Sequence, residues 1–361
     1  MTEKEEIRQQ INALDQELVN LLNRRQTLAQ AIGRIKNRAG QRTLDFQREE
    51  EVLAQLMRLN PGPLNHAALK NIFREIISAS RQIQSPLSVA FLGPEATFSH
   101  LATLKKFGSS TRFGPLLSIH DVFMEVEKGN FDYGVVPIEN STEGVVNDTL
   151  DHFVETTLKI CGEIFLEVSH DLVSKSGQRQ DIEVIYSHPQ AYGQCRRWLA
   201  AHLPEIPHIE VASTGMAAQK AAKNTNAAAI ASAAAASLYD LRVVERRIED
   251  HPGNVTHFFV IGPESPGLTG HDKTSIIFAV DNIPGALYKT LQPIADRNIN
   301  MTRIISRPAK NEAWRYLFFV DIDGHQEEPQ VAAALREIED LSAHFQLLGS
   351  FPRAAGVENP S

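Results

Sequence analysis

Residues 135–146 read VVPIENSTEGVV. An apolar, β-branched run ends at Pro137. A carboxylate (Glu139), an amide (Asn140), two hydroxyls (Ser141, Thr142) and a glycine (Gly144) follow, and apolar spacing resumes through Val145, Val146 and Leu150. The change of period predicts a buried strand that delivers polar groups to the start of a helix. Open N–H groups at a helix start favour an anion. Two readings fit the stretch: a turn with Ser141 or Thr142 as N-cap, or one wall of a ligand site.

The same alternation runs on both sides of it. LSVAFLG (87–93) precedes PEATFSH, EVIYS (183–187) precedes HPQAYGQC, HIEVAS (208–213) precedes TGMAAQKAA, and AAAIAS (227–232) precedes a helix from Ala233. Strands alternating with helices predict a parallel or mixed α/β sheet. Ligands of such sheets collect beyond the carboxyl ends of strands, where Glu139, Asn140, Ser187, Gln190, Gln194, Ser213 and Thr214 fall. The alanine run 227–236 has no Gly/Ser/Pro bias, so it reads as a small-residue strand and a tightly packed helix.

Upstream the pattern is helical. Ile7, Ile11, Leu14, Leu18, Leu21, Arg25, Leu28, Ile32 and Ile35 recur at spacings of four and three, the seam of one long helix. Thr2 with Glu5 forms a capping-box pattern at its start, and Gly40 is the expected stop. A rod of roughly 45 Å is too long for an eighty-residue bundle to cover, so a partner chain is expected along it. Arg25 occupies a seam position where a leucine belongs. In a second helix Asp45, Glu49, Val52 and Leu56 share a face with Arg48 beside them, and in a third Phe73, Ile77, Ser80 and Gln84 do. A buried guanidinium needs a partner, and a dianionic ligand would supply one. Arg8, Arg25, Lys36 and Arg48 could clamp two carboxylates, while Asp45, Glu49, Ser80 and Gln84 address hydroxyl and ether oxygens.

Composition narrows the classes. The net charge of −8 over 361 residues argues against a general role on nucleic acid or anionic membrane. Two cysteines, Cys161 and Cys195, suit a reducing compartment rather than a disulfide framework. No signal-peptide pattern and no span-length apolar window occurs, so a cytoplasmic protein is expected. No HExxH, close cysteine pairing, GxGxxG or P-loop is present, so no metal and no cofactor is expected. Ser99–His100 and Ser187–His188 read as turn chemistry, because adjacent residues at a strand end point to opposite sides.

Three ordered sets of motifs resemble known families. Residues 1–85 resemble the all-helical chorismate mutases through R8-x2-I-x2-L-D15, R25-x10-K36, D45-x2-R-E49 and S80-x3-Q84. The resemblance implies that Arg8, Arg25, Lys36, Asp45, Arg48, Glu49, Ser80 and Gln84 bind chorismate in an interlocked dimer, with Arg8 acting on the partner's site. Conversion of chorismate to prephenate is a pericyclic rearrangement, so the site need only hold the diaxial conformer and place Lys36 and Gln84 near the ether oxygen.

Residues 87–263 resemble prephenate dehydratases through AFLGPEATFSH, VVPIENSTEGVVNDTLD, YSHPQAYGQC, STGMAAQ and NVTHFFVIG. That family has two α/β lobes about a cleft, in the style of periplasmic binding proteins. The resemblance makes Thr256 essential and places Glu139, Asn140, Ser187 and Gln194 along the cleft. Relatives usually carry Arg where this chain has His257, which predicts weaker carboxylate binding at alkaline pH.

After a linker at 264–272, residues 273–352 follow a β-α-β-β-α-β order, which is ferredoxin-like. NIPGALYKTL and ISRP resemble ACT domains that follow prephenate dehydratases. The resemblance implies phenylalanine as effector at an ACT dimer interface, on Gly285, Ala286, Leu287, Ser306, Arg307 and Pro308. Relatives usually carry Glu where this chain has Ile305, which could weaken that control. The whole is therefore expected to be a homodimeric, bifunctional chorismate mutase and prephenate dehydratase. A metabolite sensor without turnover and a dehydratase acting chiefly on arogenate are the alternatives.

Overall fold

The computed structural model describes residues 2–39, 44–308 and 316–354. The chain divides into two compact units: Met1–Ser88 with Phe107–Arg112, and the remainder.

The first unit is built on α1 (Glu3–Arg38), α2 (Phe46–Leu59) and α3 (His66–Gln84). The caps follow the sequence. The Glu5 carboxylate accepts from the Thr2 N–H at 2.7 Å, Asp45 from the Arg48 N–H at 2.9 Å, and Asn65 from the Ala68 N–H at 2.8 Å. The expected stop of α1, Gly40, lies outside the described residues. Gly33 lets α1 lie tight on α3, since a Cβ there would stand 2.8 Å from Gln84 Cβ. The apolar seam is left uncovered in the single chain: Leu14 is 59% and Ile35 65% exposed.

The second unit contains three sheets. The first lobe runs through β1 (Ser88–Leu92), α4 (Phe98–Phe107), β2 (Arg112–Leu116), α5 (Ile119–Glu127), β3 (Tyr133–Asn140), β4 (Gly144–Val145), α6 (Asn147–Glu155) and β5 (Lys159–Glu167). The second lobe runs through β6 (Asp171–Ser174), β7 (Val184–Ser187), α7 (Pro189–Gln194), α8 (Arg196–His202), β8 (His208–Glu210), α9 (Thr214–Ala221), β9 (Ala227–Ala231), α10 (Ala233–Leu238) and β10 (Arg242–Glu245). The chain then returns to the first sheet through β11 (Val255–Gly262). The strand orders are β2-β1-β3-β11-β5, with β4 on β3, and β10-β6-β9-β7-β8. The alanine run forms β9 and α10, as expected. The ferredoxin-like module follows as β12 (Asp272–Val280), α11 (Ala286–Asp296), β13 (Met301–Pro308), β14 (Tyr316–Asp323), α12 (Pro329–Leu341) and β15 (His344–Pro352), in the order β13-β14-β12-β15.

One face of this last sheet packs on its own helices through Ile276, Phe278, Val320, Ile338 and their neighbours. The other face, with Ile277, Phe319, Leu348 and Phe351, merges with Val136, Ile138, Phe153, Phe259 and Ile261 of the first lobe in one apolar core.

The stretch 135–146 departs from the expected strand-to-helix turn. β3 continues to Asn140 and folds back through the short strand β4, so the helix begins only at Asn147, with Val146 as N-cap. Ser141 and Thr142 sit in the hairpin turn and cap nothing. Gly144, at φ +82°, takes the left-handed conformation that closes the turn. Among the described residues no helix is long and apolar enough to cross a membrane.

Candidate functional site

In the helical unit, Arg25 Nη1 donates to Ser80 Oγ at 2.5 Å, and Ser80 Oγ donates in turn to the Ile76 carbonyl at 2.8 Å. Burial lowers the Arg25 pKa, and among the described residues no carboxylate pairs with it. A half-buried cation held only by a hydroxyl is ready for an anion. Lys36 lies 4.0 Å from Asp45, and Gln84 meets Gly33, so these groups line one stretch of the α1–α3 face. Glu49 takes a partner the sequence reading missed: the buried Arg81 grips both its oxygens at 3.1 and 3.2 Å and also donates to the Phe107 carbonyl. Arg48 turns to Glu51 at 3.1 Å on the exposed side. Arg8 is exposed and about 26 Å along α1 from Arg25, so the single chain does not bring it to the others.

In the second unit a cleft of about 710 Å³ lies between the lobes. Asn140, Gln190, Gln194, Ser213, Thr214 and Thr256 line it, with the starts of α4, α7 and α9. Among the described residues no lysine or arginine does. Negative charge would therefore meet helix N-termini and neutral donors.

Two expected residues are elsewhere. Ser187 is buried, is not among the residues lining the cleft, and donates to the His188 carbonyl at 3.0 Å. Glu139 faces the ACT module, 3.8 Å from Arg303. The reason is a β-bulge. Thr256 registers with Asn140 and His257 with Glu139, but Phe258 registers with Pro137, so Ile138 is the extra residue. One inserted residue reverses the alternation of sides. Pro137, Asn140, Thr256 and Phe258 thus face the cleft together, while Glu139 and His257 face away. Pro137 has no N–H for the ladder, which suits a bulge inside a central strand. Its carbonyl accepts from Thr149 Oγ1 at 2.5 Å, and that of Ile138 from the Val146 N–H at 2.9 Å.

On the cleft side a hydrogen-bond chain fixes the donors. The turn N–H groups of Thr142 and Glu143 donate to Asn140 Oδ1 at 3.0 and 3.1 Å. Asn140 Nδ2 then donates to Asn254 Oδ1 at 2.7 Å and to Thr256 Oγ1 at 2.8 Å. Because Thr256 Oγ1 accepts there, its own proton is left for the cleft. The sequence reading named neither Asn254 nor His170, which lie on the two segments joining the lobes. Asn254 was within sight, two residues before Thr256. His170 carried no such signal.

His257 does not reach the cleft, so the expected effect on carboxylate binding there has no structural basis. It is stacked on Phe165 at 4.2 Å, accepts at Nδ1 from Arg303, and places Nε2 3.0 Å from Glu163. Lys273 lies 3.1 Å from the same Glu163 oxygen, and Arg303 also pairs with Asp321 at 3.3 Å.

Of the proposed effector residues, Gly285 caps α11 at φ +80° and Ala286 and Leu287 pack into the module's core. Ser306 and Pro308 are exposed on β13. Arg307 is engaged by α6, through Asp151 at 2.6 Å and the Asn147 carbonyl. Ile305 packs against the core shared with the first lobe.

Family models for chorismate mutase type II, prephenate dehydratase and the ACT domain match residues 7–85, 89–266 and 274–340. A bifunctional chorismate mutase/prephenate dehydratase of Aquifex aeolicus is 45% identical over 358 residues, 98% of this chain and 99% of that one. One of Pseudomonas aeruginosa is 42% identical over 96% of this chain and 97% of its own length. A crystal structure of prephenate dehydratase from Arthrobacter aurescens in complex with L-Phe is 33% identical. It superposes with a TM-score of 0.68 over 74% of this chain and 90% of that one. The chain belongs to the family of bifunctional chorismate mutase/prephenate dehydratases.

Proposed function

We propose that the two reactions of this family run in two separate sites, within domains spanning 1–85 and 87–263, and that 273–352 regulates the second. In the first site Arg25 and Lys36 hold the carboxylates of chorismate. Lys36 and Gln84 also donate to the ether oxygen as its bond breaks, and Ser80, Asp45, Glu49 and Arg48 complete the wall. The uncovered seam of α1 and the distance of Arg8 from Arg25 support a homodimer in which Arg8 serves the partner's site. Sedimentation of wild type and Leu18→Glu tests this: a dimer that becomes monomeric and loses mutase activity is the expected result.

In the second site the Asn140–Thr256 hydrogen bond carries the assignment. Prephenate loses its ring hydroxyl and ring carboxylate; the electrons of the C–CO₂ bond complete the aromatic ring as the C–O bond breaks. One proton is consumed, and Thr256 Oγ, its lone pair engaged by Asn140, donates towards the departing oxygen. Gln194 and the helix starts hold the remaining carboxylate. Thr256→Val, assayed with chorismate and with prephenate, should accumulate prephenate from the first and release no phenylpyruvate from the second.

Phenylalanine, bound in the Arthrobacter aurescens relative, is the effector we assign to Gly285, Ala286, Leu287, Ser306 and Pro308. Arg307 transmits from there to α6. A cytoplasmic setting fits two cysteines buried as thiols.

A further inference from the structure

We infer that His170 is a positioning residue of the dehydratase, which turns the Gln194 carboxamide so that its NH₂ group serves the substrate. The inference rests on reading the cleft as the dehydratase site.

The orientations of the Asn140, Asn254 and Gln194 amides follow from two donors whose identity is fixed. Backbone N–H groups of Thr142 and Glu143 can only donate, so the Asn140 atom facing them is oxygen. Its nitrogen then faces Asn254, which must answer with Oδ1. Asn254 Nδ2 is thereby turned to Gln194 and donates to Oε1 at 3.1 Å. That oxygen has a second neighbour, His170 Nε2, at 2.9 Å. Facing an acceptor, Nε2 must carry the proton. Burial lowers the His170 pKa, so the ring is the neutral Nε2–H tautomer.

With both of these donors converging on Oε1, Gln194 Nε2 has no partner among the described residues although it is buried in the cleft wall. A buried donor without a partner is costly, and a substrate carboxylate would satisfy it. The geometry also spans the lobes. His170 and Asn254 lie on the two connecting segments, which are tied by the Val168 N–H and the Asn254 carbonyl at 2.7 Å. Gln194 belongs to the second lobe and Asn140 to the first. His170 itself is seated by Phe98, edge to face at 5.5 Å, and by the Glu249 carboxylate on its backbone N–H at 2.9 Å.

The test is a double-mutant cycle on prephenate turnover by the full chain, with folding followed by near-UV circular dichroism. His170→Phe, which keeps a ring and removes the donor, should lower kcat/KM about 10- to 100-fold, chiefly through KM. In a Gln194→Ala background the same change should add less than about twofold, because the group it positions is gone. His170→Gln, which keeps an N–H donor, should stay within about threefold of wild type, and it carries the test alone if His170→Phe does not fold. Wild-type turnover by His170→Phe, an undiminished loss in the Gln194→Ala background, or a His170→Gln enzyme as impaired as Gln194→Ala would each overturn the inference. Full activity of Gln194→Ala would instead overturn the reading of the cleft.

Discussion

His257 Nε2 stands 3.0 Å from Glu163 Oε2 with both side chains all but sealed from solvent. Burial alone would push the Glu163 carboxyl up, yet His257, the Lys273 ammonium and the Ala354 N–H hold it at about 2. His257 is pushed down, first by burial and also by Arg303, so the ring is neutral and Lys273 supplies the countercharge. Removing that countercharge leaves a carboxylate stranded. Lys273→Met should cost about 3–5 kcal/mol, read as a lowered midpoint in urea, and Glu163→Gln in the same chain should recover part of it.

Acid should unfold the second unit in two stages. His257 and His170 are held neutral by burial, so their share of stability is complete above about 6.5 and declines as pH falls through that value. The expected slope is about 1.4 kcal/mol per histidine per pH unit until the folded pKa is reached. Glu163 titrates from 4.5 in the unfolded chain to about 2 in the folded one, so its share, on the order of 3 kcal/mol, is lost between those values. Urea midpoints between pH 8 and 3 check both; a flat profile from 7 to 5 contradicts the histidine part.

Asn140→Ala removes the donor that turns the Thr256 proton to the cleft. Dehydratase kcat should fall about 100-fold, while chorismate turnover stays within about twofold, since the helical site shares no residue with this one. A stopped assay on each substrate separates the two.

Arg25→Ala should lower mutase kcat/KM by roughly 1000-fold and leave prephenate dehydration unchanged. Arg25→Lys keeps the charge but not the fork that meets Ser80 and a carboxylate together, and should recover only a small part. Equal mutase rates in wild type and Arg25→Ala would remove Arg25 from the site.

His257→Arg alone places a second guanidinium beside Arg303 and should destabilise the fold by about 2 kcal/mol or more. Adding Ile305→Glu, two residues along β13 on the same side as Arg303, should restore at least half of that by melting temperature. Additive effects of the two changes would show that the positions do not interact.

Much of this was legible before any coordinates. The capping box at Thr2, the alanine strand and the β-α-β-β-α-β order of the last module follow from local pattern. The failures share a cause. Pro137 in a central strand was a visible sign of the bulge, but its effect on Glu139 depends on β11, which arrives more than a hundred residues later. Ser141 and Thr142 looked like helix caps because hairpin turns and N-caps use the same residue types. Ser187 lies at a strand end, as expected, yet one side of a strand end is still core. Arg81 sat beside Ser80 in plain view, but only the fold shows which carboxylate it meets.

The contact between β13 and the first lobe has a consequence for descent. The family resemblance implies Arg at the position of His257 and Glu at that of Ile305, one charge of each sign on opposite walls of a single contact. This chain has neither, so the contact has the same net charge as that pair would give. A lineage passing from one state to the other by single substitutions must cross an intermediate with one uncompensated charge in a nearly dry place. Among homologues the two positions should therefore be inherited as a pair, and a chain holding only one of them should show a third change close by.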